Sequence, residues 1–211
     1  MRSVFNFLIK PTGSRYNNEV NIDGKKLITN TDIFDHKSVS REAEVISTPI
    51  VFDTPIIKGD KVIVHHNIFR RWHNVKGVEK NSSGYIQEDL YSCQIDQVYA
   101  YKPFTNGDRE EPWQALEDYC FVQPIKNKDK YNLKAENELV GILFYSNSAL
   151  SSKGLKVGDL VGIGPKSQFE FLIDGKRLYR VRNQDISIKY EYGGDEEAYN
   201  PSWADSSKRT N

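Results

Sequence analysis

Disulfide stapling, membrane-length apolar runs and charge imbalance are all absent from this chain. Two cysteines, Cys93 and Cys120, in 211 residues fit a reducing cytosol better than a secreted, cross-linked fold, with a single bridge between them as the open alternative. No segment approaches the ~18 apolar residues of a membrane span. The opening stretch 1–11 has one Arg and a short apolar run without a small-residue cleavage site, so no secretory leader is expected. Lys plus Arg number 29 and Asp plus Glu 29. That balance argues against a general nucleic-acid or anionic-membrane binder, which would need a basic face. No phosphate loop, Gly-x-Ser-x-Gly elbow or Cys-His pairing is present, so no enzyme and no cofactor are expected. His65, His66 and His73 are close in sequence. Adjacent strand histidines face opposite ways, and no Cys or carboxylate completes a ligand spacing, so no metal is expected. The expectation is a soluble, cytoplasmic protein, in the host cytoplasm if it is viral.

What is present is β-forming. Tyr (12) and Phe (10) are plentiful, and hydrophobic residues make up 38% of the chain, a bias that suits strands. The chain also repeats itself. Lys58-Gly59-Asp60-Lys61-Val62-Ile63-Val64 returns as Val157-Gly158-Asp159-Leu160-Val161-Gly162-Ile163. Leu90-Tyr91, leading to Val98-Tyr99-Ala100, returns as Leu178-Tyr179, leading to Ile186-Ser187-Ile188. Two phrases in the same order at that offset read as a domain duplication rather than a solenoid.

Phe5, Phe7 and Ile9 mark an opening strand stopped at Pro11-Thr12-Gly13. From 14 to 41 the pattern dissolves into Asn, Asp, Lys and Ser around an apolar pair, Leu27-Ile28. A loop of that length is normally functional or disordered. Strands resume at Ala43-Glu44-Val45-Ile46 and Val62-Ile63-Val64, and a polar excursion fills 76–84. The 103–112 stretch, with two prolines and Asn106-Gly107, reads as a linker. The second copy has strands at 139–144, 160–163, 169–173, 177–181 and 186–190, with a hairpin signal at Asp174-Gly175. Residues 193–211 lack periodicity and read as a flexible tail. The domains are thus expected at 1–102 and 113–192, as two small barrels.

The copies differ in their loops. The opening strands, aligned on Phe7 and Phe121, lie 114 residues apart, the Gly-Asp turns 99, and the Leu-Tyr phrases 88. Copy one therefore carries a longer loop before its Gly-Asp turn and a longer excursion after it. Function tends to ride on such loops.

This order of parts resembles the GroES-type co-chaperonins. Glu44-Val45-Ile46 looks like the strand that follows the family's mobile loop. Both Gly-Asp turns, and the closing phrase Asn183-Gln184-Asp185-Ile186, are similar to family segments over 1–102 and 119–190. The resemblance implies an all-β fold of two tandem GroES-like, partly open β-barrels. It also implies a non-enzymatic lid that caps a GroEL-type chaperonin ring in its ATP-bound state and itself forms a homo-oligomeric ring. The family's docking segment matches Gly24, Lys25, Lys26, Leu27, Ile28 and Thr29, with Lys25 and Lys26 departing from its glycine and apolar positions. Leu27-Ile28 either docks on the partner or tacks the loop to the barrel wall. The second copy's 126–138 loop has no glycine or apolar pair and looks unable to dock. Neither copy has a long roof hairpin.

Alcohol-dehydrogenase barrels are similar in fold, but their zinc ligands and dinucleotide fingerprint are missing here. The 65–73 stretch interleaves basic and aromatic residues, as single-strand binders do, or is a polar strand end with snorkelling arginines. The other function class is a structural or assembly protein, such as a virion component, that uses the barrels as a scaffold. The Lys- and Asn-rich composition is compatible with a phage.

Overall fold

The computed structural model describes residues 2–16, 19–22, 25–28, 39–104, 111–128, 135–191, 193–202 and 204, with 19–22 and 25–28 described by backbone alone. The chain divides into two compact units, Met1–Trp113 and Gln114–Asn211. The first holds β1 (Phe7–Pro11), β2 (Glu19–Ile22), β3 (Lys25–Ile28), β4 (Glu42–Ser47), β5 (Lys61–Val64), β6 (Arg71–His73), β7 (Glu79–Asn81), β8 (Tyr85–Gln87), β9 (Leu90–Cys93) and β10 (Val98–Lys102). The second holds β11 (Gln114–Ala115), β12 (Tyr119–Lys126), β13 (Glu136–Tyr145), the short helix α1 (Ser148–Ser152), β14 (Leu160–Ile163), β15 (Phe169–Ile173), β16 (Lys176–Arg182) and β17 (Ile186–Lys189). No helix among the described residues is long and apolar enough to cross a membrane.

The first unit's main sheet runs β10-β5-β4-β1-β9-β8, and the second's runs β17-β14-β13-β12-β16-β15. Strand for strand these are the same antiparallel order. Among the described residues neither sheet closes into a barrel. Even the irregularities repeat. A bulge interrupts the β1–β4 pairing between Leu8 and Ile9, and the β12–β13 pairing between Phe121 and Val122. Another skips Tyr99 against β5, and its counterpart skips Ser187 against β14. Bulges bend a strand at a defined point, so both sheets are shaped by the same device.

That pairing corrects one alignment. Ile9 lies opposite Val45, and Val122 opposite Leu143, which equates Leu8, not Phe7, with Phe121. A one-residue slip exchanges the two faces of a strand. The pattern could not set the register, because Phe7, Leu8 and Ile9 are all buried, as are Cys120, Phe121 and Val122.

The Gly-Asp turn is the repeat's joint. Gly59 (φ +96°) and Gly158 (φ +95°) occupy the left-handed region, where a side chain would be strained. The Gly59 N–H donates to the Val45 carbonyl at 2.8 Å, and the Val45 N–H to the Asp60 carbonyl at 2.9 Å. Gly158, Leu143 and Asp159 reproduce these bonds at 2.8 and 2.9 Å. Each aspartate also accepts a backbone N–H three residues upstream, from Ile57 at 2.9 Å and from Lys156 at 2.8 Å. The turn thereby ties β4 to the entry of β5, and β13 to that of β14.

The two aspartates are completed differently. Asp60 is buried and accepts the Phe104 N–H at 2.8 Å, whereas Asp159 faces the Lys189 ammonium at 2.6 Å. Partial burial would raise the Asp159 carboxyl, but Lys189 and the Lys156 N–H outweigh it and hold it below the ordinary carboxylate range. A carboxylate depressed in the fold contributes stability that is present above its unfolded pKa, about 3.9, and is lost as pH falls through the folded value. Asp159→Asn is therefore expected to cost about 1 kcal/mol at pH 7 and less at pH 2, below the ordinary carboxylate range. Chemical denaturation at the two pH values checks this; equal cost at both would refute the linkage.

Cys93 and Cys120 are both free and buried. Burial pushes both thiols up, Cys120 to about 12, so each acts as a small core hydrophobe. Around Cys120 pack Val122, Leu143, Leu150, Val161, Ile163 and Val181.

Part of the stretch 193–211, expected to be a flexible tail, is described, and residues 195–200 lie along the second unit. The Lys126 N–H donates to the Glu197 carbonyl at 2.8 Å, and the Tyr199 N–H to the Pro124 carbonyl at 2.7 Å. Asn200 caps the β15–β16 turn by accepting the Arg177 N–H and donating to the Gly175 carbonyl. Lys128 pairs with Asp195 and Glu196. β16 pairs with β12 only over Tyr119–Val122, and the tail takes the edge left beyond it.

Candidate functional site

Copy one spends its extra length in two places. Thirty residues, 12–41, separate β1 from β4, where nine, 127–135, separate β12 from β13. Twenty, 65–84, separate β5 from β8, where five, 164–168, separate β14 from β15.

The first insertion holds the expected docking segment. Gly24 and Thr29 lie outside the described residues. Lys25, Lys26, Leu27 and Ile28 form β3, paired antiparallel with β2. Val20 stands opposite Leu27, and Glu19 opposite Ile28. The 14–41 stretch, read from sequence as loop, thus contains a ribbon that belongs to neither main sheet. The overlooked signal is Asp23-Gly24, a two-residue turn dipeptide preceded by the alternation Glu19-Val20-Asn21-Ile22.

The base of this insertion is pinned. Tyr16 and Val39 form an antiparallel bridge, and both are buried. The Ser40 N–H donates to the Arg15 carbonyl at 3.1 Å, and the Thr12 N–H to the Glu42 carbonyl at 3.1 Å. Arg15 then reaches the second insertion. Its Nε donates to the Phe69 carbonyl at 2.5 Å, Nη1 to Asn81 Oδ1 at 2.7 Å and Nη2 to the Arg70 carbonyl at 3.3 Å. Its guanidinium carbon lies 5.3 Å from the Tyr91 ring centre and 5.8 Å from that of Tyr85. Burial raises the Tyr91 hydroxyl pKa despite the neighbouring Arg15 charge. The Arg71 N–H donates to the Tyr16 hydroxyl oxygen at 2.6 Å, and the Arg71 guanidinium sits 5.0 Å from the centre of that ring.

The second insertion, read from sequence partly as a polar excursion, is an ordered hairpin of β6 and β7, with Arg71 opposite Asn81, Trp72 opposite Lys80 and His73 opposite Glu79. Arg15 and Asn81 are 66 residues apart, and no local pattern announces their meeting.

No protein-family model matches this chain. No curated protein matches it either.

The second unit has a cleft of about 430 Å³ lined by Ala135, Glu136, Glu138, Glu170, Arg177, Tyr199 and Pro201. Its arginine is already committed. Arg177 pairs with Glu136, bonds Glu170 Oε2 at 2.7 Å and donates to the Tyr179 hydroxyl at 2.5 Å. The Tyr179 hydroxyl donates in turn to Glu136 at 2.6 Å. Burial opposes the Arg177 charge, but the two glutamates outweigh it and raise its pKa. A cation so satisfied fastens β13 to β15 and β16 and leaves no anion site. Among the described residues no three His, Cys, Asp or Glu are grouped to hold a metal. His65 and His66 lie beyond the end of β5, so they do not take the opposite faces expected of adjacent strand residues; their rings stack at 4.3 Å between centres, and His65 Nδ1 accepts the Asn67 N–H.

Proposed function

We propose that this chain is a non-enzymatic lid, a tandem GroES-like co-chaperonin that caps a GroEL-type ring. The observation that carries the reading is the thirty-residue insertion of copy one between β1 and β4, which holds the β2–β3 ribbon over a pinned base and matches the position of the family's mobile loop; copy two has nine residues there. The shared strand order and the duplicated Gly-Asp turn support two copies of a GroES-like, partly open barrel. The first grips the partner and the second mainly builds the ring of subunits through its sheet edges.

A single docking ribbon binds weakly, because part of its contact energy offsets ordering. A ring of such ribbons raises apparent affinity by roughly 10²–10⁴ without new contacts, while each contact by itself stays weak and reversible. The nucleotide chemistry belongs to the partner, and this chain needs no cofactor.

A second reading, an assembly scaffold of phage type, draws on the pairing of Lys25–Ile28 with β2, which uses backbone groups that an extended docking segment would leave open. Sedimentation with a GroEL-type ring separates the two. A lid co-sediments with ATP present and is lost when Leu27→Asp is combined with Ile28→Asp, with the circular dichroism unchanged. Failure of the wild type to bind any such ring with ATP would leave the scaffold reading.

A further inference from the structure

We infer that the β6–β7 hairpin is a second docking arm, which inserts an apolar tip into an apolar groove with a carboxylate rim on the same ring partner; this rests on the lid reading above. The hairpin exposes three large apolar side chains within seven residues: Trp72 at 45%, Val78 at 51% and Val75 at 105% relative exposure. These are held in place. Asn74 Oδ1 accepts the N–H groups of Lys76 and Val78, each at 3.0 Å, and its carbonyl accepts the Gly77 N–H at 2.9 Å. At the root, Arg71 pairs with Glu79 at 3.5 Å, and the Ser82 hydroxyl donates to the Ile68 carbonyl. The turn thus holds Val75 fully in water and Val78 half in water, with neither buried in the described fold.

Copy two supplies an internal control. It joins the same two strands through Gly164-Pro165-Lys166-Ser167-Gln168, five residues without a large hydrophobe, so the framework does not require the hairpin. Both insertions of copy one share one root, since Arg15 and Tyr16 at the base of the β2–β3 insertion hold Phe69, Arg70, Arg71 and Asn81. Strand alternation gives the hairpin two faces. Arg71 and Asn81 contact that shared root, which leaves Trp72 and Lys80 on the opposite face. The two insertions therefore leave the fold from adjoining points, near enough for one partner to meet both. The partner's chemistry follows from the flanks: beyond the Arg71–Glu79 pair, residues 70–81 carry Arg70, Lys76 and Lys80. One exposed tryptophan followed by two exposed valines suits an apolar groove better than a stack of bases, which needs successive aromatic platforms.

The test measures binding of the full chain to a GroEL-type ring with ATP at low and high salt. Val75→Ser with Val78→Ser is expected to weaken binding at least tenfold. Lys76→Glu with Lys80→Glu is expected to weaken it by a similar factor and to flatten the salt dependence. All four positions are exposed, and an unchanged melting temperature verifies the fold. Wild-type affinity in both variants, while the Leu27→Asp/Ile28→Asp chain loses binding, overturns the second arm and leaves the lid. Absence of wild-type binding overturns both. Binding of a dT oligonucleotide that the tip variants abolish also overturns it, and assigns the hairpin to nucleic acid.

Discussion

Arg15→Ala is expected to destabilise the first unit by about 3 kcal/mol. Truncation orphans the Phe69 carbonyl of a wholly buried residue, and an unsatisfied buried acceptor costs about 1–3 kcal/mol. It also removes the bonds to Asn81 and the Arg70 carbonyl and the stacking on Tyr85 and Tyr91, the latter worth about 1 kcal/mol. Arg15→Lys keeps the charge but loses the planar fork, so it should recover less than half. The midpoint of chemical denaturation at constant slope reads the loss. Hydrogen exchange at the Ser40 amide, which bonds the Arg15 carbonyl, should quicken in the alanine variant as the root of both insertions frays. A lysine variant as stable as wild type would show that charge alone, not the fork, fastens the root.

Phe121→Ala should cost the second unit about 4 kcal/mol. The ring is fully buried, edge-on to Phe171 at 5.7 Å and Tyr145 at 6.0 Å between centres, so little around it can collapse into the cavity. Natural domains have about 5–15 kcal/mol in hand, and the variant should melt far earlier by calorimetry. Phe121→Leu, which installs the residue of the equivalent position Leu8, should lose less than half as much. If alanine and leucine cost the same, the aromatic contacts rather than the cavity set the stability here.

Much of the framework was legible in the residues. The β14 and β15 boundaries coincide with the expected strands, and Asp174-Gly175 makes the expected hairpin, with Ile173 opposite Lys176 and φ of +47° and +72° at the turn. Those features rest on local chemistry: alternation, glycine at positive φ, a two-residue turn. The candidate site was less legible. Leu27-Ile28 stood out as an apolar pair, yet its strand pairing hid behind polar neighbours. The Arg15 root joins positions more than fifty residues apart. Residues 195–200 read as tail by composition, yet they pair along β12 because β12 outruns β16 and leaves an edge to fill.

By itself, then, the amino-acid sequence determined an all-β chain built on one phrase used twice, with unequal loops, since turn chemistry and alternation act over a few residues. The tertiary structure alone decided the register of the two copies, the common root of copy one's insertions and the docking of the tail. Each depends on which distant backbone groups are left needing partners once the sheets have formed.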